Sequence, residues 1–156
     1  MLLSSTGVAA GLQDPIVATL RACAIPKLEG KPISAELSSN LFLEAPARTS
    51  RDTRIRILRS YNSVSPQFDY KLDIYEKQGC TFTYSISAKD DVMSELDIPF
   101  SFLLKKFNVF QMGSPSDDNP GFNAYQVKSA FADFDVTTKF ETKGDRTYVS
   151  ISVPTE

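Results

Sequence analysis

The sequence predicts a mostly β chain, α+β at its broadest, folded as an antiparallel sandwich or a curved sheet of six to seven strands with two short helices. Three observations carry this. Apolar and polar residues alternate in several segments, as they do in half-buried strands. Clusters of turn-forming residues separate those segments. Strand and helix patterns do not alternate along the chain, which argues against a parallel nucleotide-binding sheet. A length of 156 residues suits one domain. We place a β-rich domain over 14–156, behind an uncharged, flexible N-terminal arm over 1–13.

The first element expected is a helix opening at Asp14-Pro15, with Asp14 as N-cap and Pro15 in the first turn, where its missing N–H costs nothing. Ile16, Val17, Leu20 and Ala24 form its apolar stripe, and Pro26 ends it. Two or three turns do not stand alone in water. The helix therefore needs its own sheet or a neighbouring subunit to dock on.

Residues 33–45 fit both a strand and a helix, and strand is preferred. A three-strand meander follows. Segment 53–60 sets Ile55 and Ile57 against Arg54 and Arg56. Segment 68–76 points Phe68, Tyr70, Leu72 and Ile74 inward. Segment 80–88 is the cleanest, with Phe82, Tyr84 and Ile86 inward and Thr81, Thr83, Ser85 and Ser87 outward. A Lys77-Gln78-Gly79 loop with a left-handed glycine would pair Ile74 with Phe82 and Leu72 with Tyr84.

Residues 90–107 change to helical spacing, with Phe100, Leu103, Leu104 and Phe107 on one side and Lys105-Lys106 on the other. Residues 114–121 are the strongest loop signal in the chain, and 122–131 reads as another strand. A hairpin closes the chain, with Phe134, Val136, Thr138 and Phe140 against Val149, Ile151 and Val153 and a turn near Lys143-Gly144.

Composition excludes much chemistry. The chain has no histidine, so the commonest general base, the commonest metal ligand and every histidine-based triad are missing. The seven glycines are scattered, without a phosphate-binding loop. No cofactor, metal site or enzymatic activity is expected, and no family signature is recognised. Asp133 and Asp135, one strand step apart, are the only catalytic carboxylate pair to consider, and solvated surface acids explain them better. Cys23 and Cys80 read as two reduced thiols, with a single disulfide left open. The absence of a signal-peptide pattern and of any Asn-x-Ser/Thr acceptor leads us to expect an intracellular or particle-borne protein. No membrane span is expected.

Net charge is −2, so attraction to a polyanion must be local. It would lie in residues 48–61, which hold five of the seven arginines: Arg48, Arg51, Arg54, Arg56 and Arg59, with Tyr61 and Tyr75 nearby. A hairpin of 53–60 with 68–76 would set Arg54 or Arg56 opposite Asp73 and leave the others free. Arginine is suited to carboxylate and phosphate. An acidic counter-surface is offered by Asp90, Asp91, Glu95 and Asp97, and by Asp117 and Asp118. Two functions therefore stay open. The first is a non-enzymatic structural or assembly protein, a β-rich subunit of a homo-oligomer or particle of the viral coat, decoration or tail type. The alternative is a binding module that holds an anionic or apolar ligand, nucleic acid included, through the arginine strip and sheet aromatics.

Overall fold

The computed structural model describes residues 8–34, 37–65, 68–90, 96, 100–112 and 121–155. Its elements run α1 (Val8–Leu28), β1 (Phe42–Ala45), β2 (Ile57–Ser63), β3 (Tyr70–Tyr75), β4 (Cys80–Ser87), β5 (Asn108–Met112), β6 (Phe122–Lys128), β7 (Asp133–Lys143) and β8 (Arg146–Val153). Leu96 and residues 100–104 add helical turns between β4 and β5. The strands make one antiparallel sheet in the order β1-β2-β3-β4-β8-β7-β6-β5. The mostly β expectation is met by a single sheet rather than a sandwich. Two meanders are joined where β8 pairs with β4, and β1 and β5 form the open edges.

Alternation sets the inner face as expected. Leu72, Phe82, Tyr84, Ile86, Val136, Val149 and Ile151 are all buried in one core with the apolar stripe of α1. Rings of Phe42, Tyr70 and Phe82 meet with centroids 5.5–6.4 Å apart. In a flat sheet β1 and β4 would lie about 14 Å apart. Their rings converge because this end of the sheet curls toward its inner face.

Helix α1 differs from its expected bounds. It is already helical at Val8, so residues 8–13 belong to it, and it runs through both Pro15 and Pro26 to Leu28. An interior proline removes one helical hydrogen bond and frees the carbonyl four residues back. The Ala22 carbonyl, freed by Pro26, instead accepts from the Ser34 N–H at 3.0 Å. Burial of Leu12, Ile16, Leu20, Cys23, Ala24 and Leu28 offsets the remaining cost. The docking partner is the protein's own sheet. Cys23 and Cys80 are joined in a disulfide that ties α1 to β4, with the Cα atoms 6.4 Å apart, which corrects the favoured reading of two reduced thiols. Lys27 also donates to the Pro154 carbonyl beyond β8.

Three strand expectations are corrected. Among the described residues of 33–45 only Phe42–Ala45 is a strand. The 53–60 strand begins at Ile57 and runs to Ser63, with a register shift between Ile57 and Arg59. The expectation had no strand at β5. The β3–β4 hairpin keeps its inward faces but pairs Leu72 with Phe82 and Ile74 with Cys80, two residues from the expected register. Its loop starts one residue earlier, closed by the Tyr75 N–H on the Gly79 carbonyl, and Gln78 rather than Gly79 takes the left-handed position at φ 60°. Gly79 is needed for another reason. A Cβ there would sit 2.7–2.9 Å from Thr155 and the Val153 carbonyl. The β7–β8 hairpin is as expected, pairing Phe140 with Val149 and turning at Gly144.

Candidate functional site

Segment 46–56, which carries Arg48, Arg51, Arg54 and Arg56, is not a strand, and part of it lies against the outer face of the sheet. Arg48 pins it. Its backbone N–H donates to Ser60 Oγ at 2.9 Å, and its guanidinium donates to Asp73 Oδ1, Asn62 Oδ1 and the Tyr61 carbonyl, each at 2.9 Å. Ser60 donates to the same Asp73 oxygen at 2.7 Å. The arginine that meets Asp73 is therefore Arg48, not Arg54 or Arg56. The strip was legible as a partner for Asp73, but a loop rather than a hairpin register selects which member reaches it.

The rest of the strip divides. Arg54 pairs within its own loop with Asp52 at 3.1 Å, and that guanidinium holds the Asp52 carboxyl below the usual carboxylate range. Arg59 lies beside Tyr61 and reaches Glu44 at 3.8 Å, which raises its own basicity. Tyr61 is buried in the core and is no stacking platform. The Tyr75 hydroxyl donates to Thr81 Oγ1 at 2.8 Å. Arg51 and Arg56 keep exposed side chains without an ion pair among the described residues. Of the acidic counter-surface, Asp90 sits in the turn after β4, its N–H donating to the Ser87 carbonyl. Asp91, Glu95, Asp97, Asp117 and Asp118 lie outside the described residues, as do residues 1–7 of the expected arm. Asp133 accepts from Gln126 Nε2 at 3.0 Å, and Asp135 stands opposite Gln126 in the register.

Two hollows open on the outer face. One, of about 800 Å³, lies between segment 49–55 and a floor that includes Asp73, Tyr75, Thr81 and Ser152. The other, of about 570 Å³, is lined by Asp69, Lys71, Ser85, Lys139, Glu141, Tyr148 and Ser150. Arg51 and Thr83 line both, so the hollows meet there as one groove.

The register orders the groove floor. Lys71 pairs with Thr83, Thr83 with Ser150, and Ser150 with Lys139, so these four residues form one row across β3, β4, β8 and β7. A row of four strands spans about 14 Å. One step along the strands, Ser85, Tyr148 and Glu141 form a parallel row, with Asp69 at its end of the groove. One step the other way lie Asp73, Thr81 and Ser152. Basic and acidic rows thus alternate. Asp73 is satisfied by Arg48 and Ser60, and Glu141 reaches Lys143 at 3.9 Å. Lys71, Lys139 and Arg51 have no ion-pair partner among the described residues. Tyr148 exposes half of its side chain beside them.

Sequence reading missed Lys71, Lys139, Tyr148, Asp69 and Glu141. Four are ordinary outward residues on strands and Asp69 directly precedes β3, and only the pairing of β4 with β8 brings them together. Among the described residues no group of His, Cys, Asp and Glu could hold a metal ion, and no helix is long and apolar enough to cross a membrane. Comparison with protein-family models, curated proteins and solved structures finds no match to this chain.

Proposed function

We propose that the protein is a non-enzymatic binding module that holds an anionic ligand in the outer-face groove. The observation that carries this is the Lys71–Thr83–Ser150–Lys139 row, with Arg51 lining the same groove. Three cations without an ion-pair partner among the described residues, set around two hydroxyls, offer charge-assisted hydrogen bonds from several directions. The apolar-ligand variant draws less support, because Tyr61, Tyr70, Phe82 and Tyr84 are buried in the core. The test is an NMR titration with inorganic sulfate. Shifts are expected at Lys71, Thr83, Ser150 and Lys139, and Lys71→Gln with Lys139→Gln should abolish them. Equal titration of the wild-type and doubly substituted chains would overturn the reading.

Assembly is the second reading. It is favoured by the open edge β5 and by Phe131, exposed over 72% of its surface. Helix α1 no longer supports it, since the helix docks on its own sheet. Light scattering at low and high salt tests it, and a monomer at both salts would sink it. The Cys23–Cys80 bridge supports a particle-borne or otherwise oxidising setting, where disulfides persist.

A further inference from the structure

Resting on the anion-binding reading, we infer that the ligand is an acidic sugar: a saccharide with one carboxylate or sulfate flanked by neutral hydroxyl-bearing parts. The row pattern carries this. The basic row has acids one step away on both sides, Asp69 and Glu141 on one and Asp73 on the other. That step is two residues, about 7 Å. Asp73 is neutralised by Arg48, but a polyanion extending along the strands toward Asp69 and Glu141 would set its next charge on an acidic row. An isolated anion over Thr83 and Ser150 avoids this, and its neighbouring hydroxyls can donate to Asp69 and Glu141. Those carboxylates accept hydrogen bonds and donate none when ionised.

Aromatic content points the same way. Modules for single-stranded nucleic acid stack successive bases on several aromatic platforms. Among the described residues this groove has one half-exposed ring, Tyr148, in the acidic row, while the Tyr75 hydroxyl is engaged by Thr81. One flat amphipathic ring with hydroxyls and acids around it suits a single sugar ring. The floor adds Ser and Thr hydroxyls that donate and accept. A hollow of about 570 Å³ is of the size that holds small molecules.

The test is calorimetric titration of the full chain with four probes. These are inorganic sulfate, a disaccharide of glucuronic acid and N-acetylglucosamine, neutral N,N′-diacetylchitobiose, and a single-stranded oligonucleotide. The acidic disaccharide should bind about tenfold or more tightly than either sulfate or the neutral sugar, the gain of one good polar contact. Glu141→Gln and Tyr148→Ala should each weaken the disaccharide about tenfold and leave sulfate binding no weaker. Lys139→Gln should weaken both. Sulfate binding without a gain from the sugar would overturn the acidic-sugar inference while the anion site stands. An oligonucleotide that binds more tightly than the disaccharide would overturn it too. Failure of all four probes would remove the anion-binding reading itself.

Discussion

On β4, Cys80, Phe82, Tyr84 and Ile86 are buried, whereas Thr81, Thr83, Ser85 and Ser87, their neighbours in the chain, stay half-buried or exposed. The same backbone thus builds two surfaces. The inner one is closed by α1 and a disulfide, and its residues are exchangeable only for others of like volume. The outer one leaves its floor open, and its residues are set by charge and hydroxyl content. Stability belongs chiefly to the first face, and the recognition we propose belongs to the second.

The sharpest way to break this division is a pair of adjacent truncations. Phe82→Ala should cost about 3–5 kcal/mol, from lost burial plus a cavity among Phe42, Tyr70 and Tyr84. Thr83→Ala should stay within about 0.5 kcal/mol and weaken ligand binding instead. Urea unfolding of both variants checks this, and similar losses would show that the outer face also carries the fold.

The inner closure has a covalent part. Replacing Cys23 and Cys80 together by alanine should lower stability by about 2–4 kcal/mol, because the bridge restrains a loop with a sequence separation of 57 residues. Thermal unfolding of the oxidised chain and the double variant measures it. Anion binding on the far side of the sheet should persist in whatever fraction stays folded. Binding lost in step with the bridge would mean that the two faces are coupled.

Legibility follows the same split. Inward alternation on β3, β4, β7 and β8 could be read directly, because a period of two with large apolar residues has few other meanings. The ends of α1 could not. Proline is a local helix breaker, and here the compensation comes from afar, through Ser34 on the Ala22 carbonyl. The disulfide was also hidden, since two cysteines so far apart reveal nothing of their proximity until α1 lies on β4. The groove was least legible. Its row joins residues from two meanders, and no local pattern reports that β4 and β8 are neighbours. The arginine strip was visible as charge but misassigned as structure. Alternation at Arg54, Ile55, Arg56 and Ile57 imitates a strand, whereas the bulge and the Arg48 clamp make it a loop.

That strip yields the smallest predicted effects and the finest comparison. Arg48 and Arg54 both pair with an aspartate, at 2.9 and 3.1 Å. Arg48 is 28% exposed and also donates to two backbone carbonyls, whereas Arg54 is 87% exposed and serves only its own loop. Exposed pairs contribute little, because water and salt screen them. Hydrogen bonds from a half-buried guanidinium leave acceptors unsatisfied when removed. Arg48→Gln should therefore cost about 1–2 kcal/mol and loosen segment 46–56 over the groove, lowering anion affinity through a displaced Arg51. Arg54→Gln should leave both quantities unchanged within error. Its only trace should be in the Asp52 titration. The depressed Asp52 carboxyl contributes stability above its unfolded value, lost as pH falls through its folded one, and the substitution should move that titration back up. NMR of the Asp52 carboxyl against pH, with denaturation of both variants, separates the clamp from the bystander. Equal losses from the two would make distance alone, not burial, the measure of an arginine's worth here.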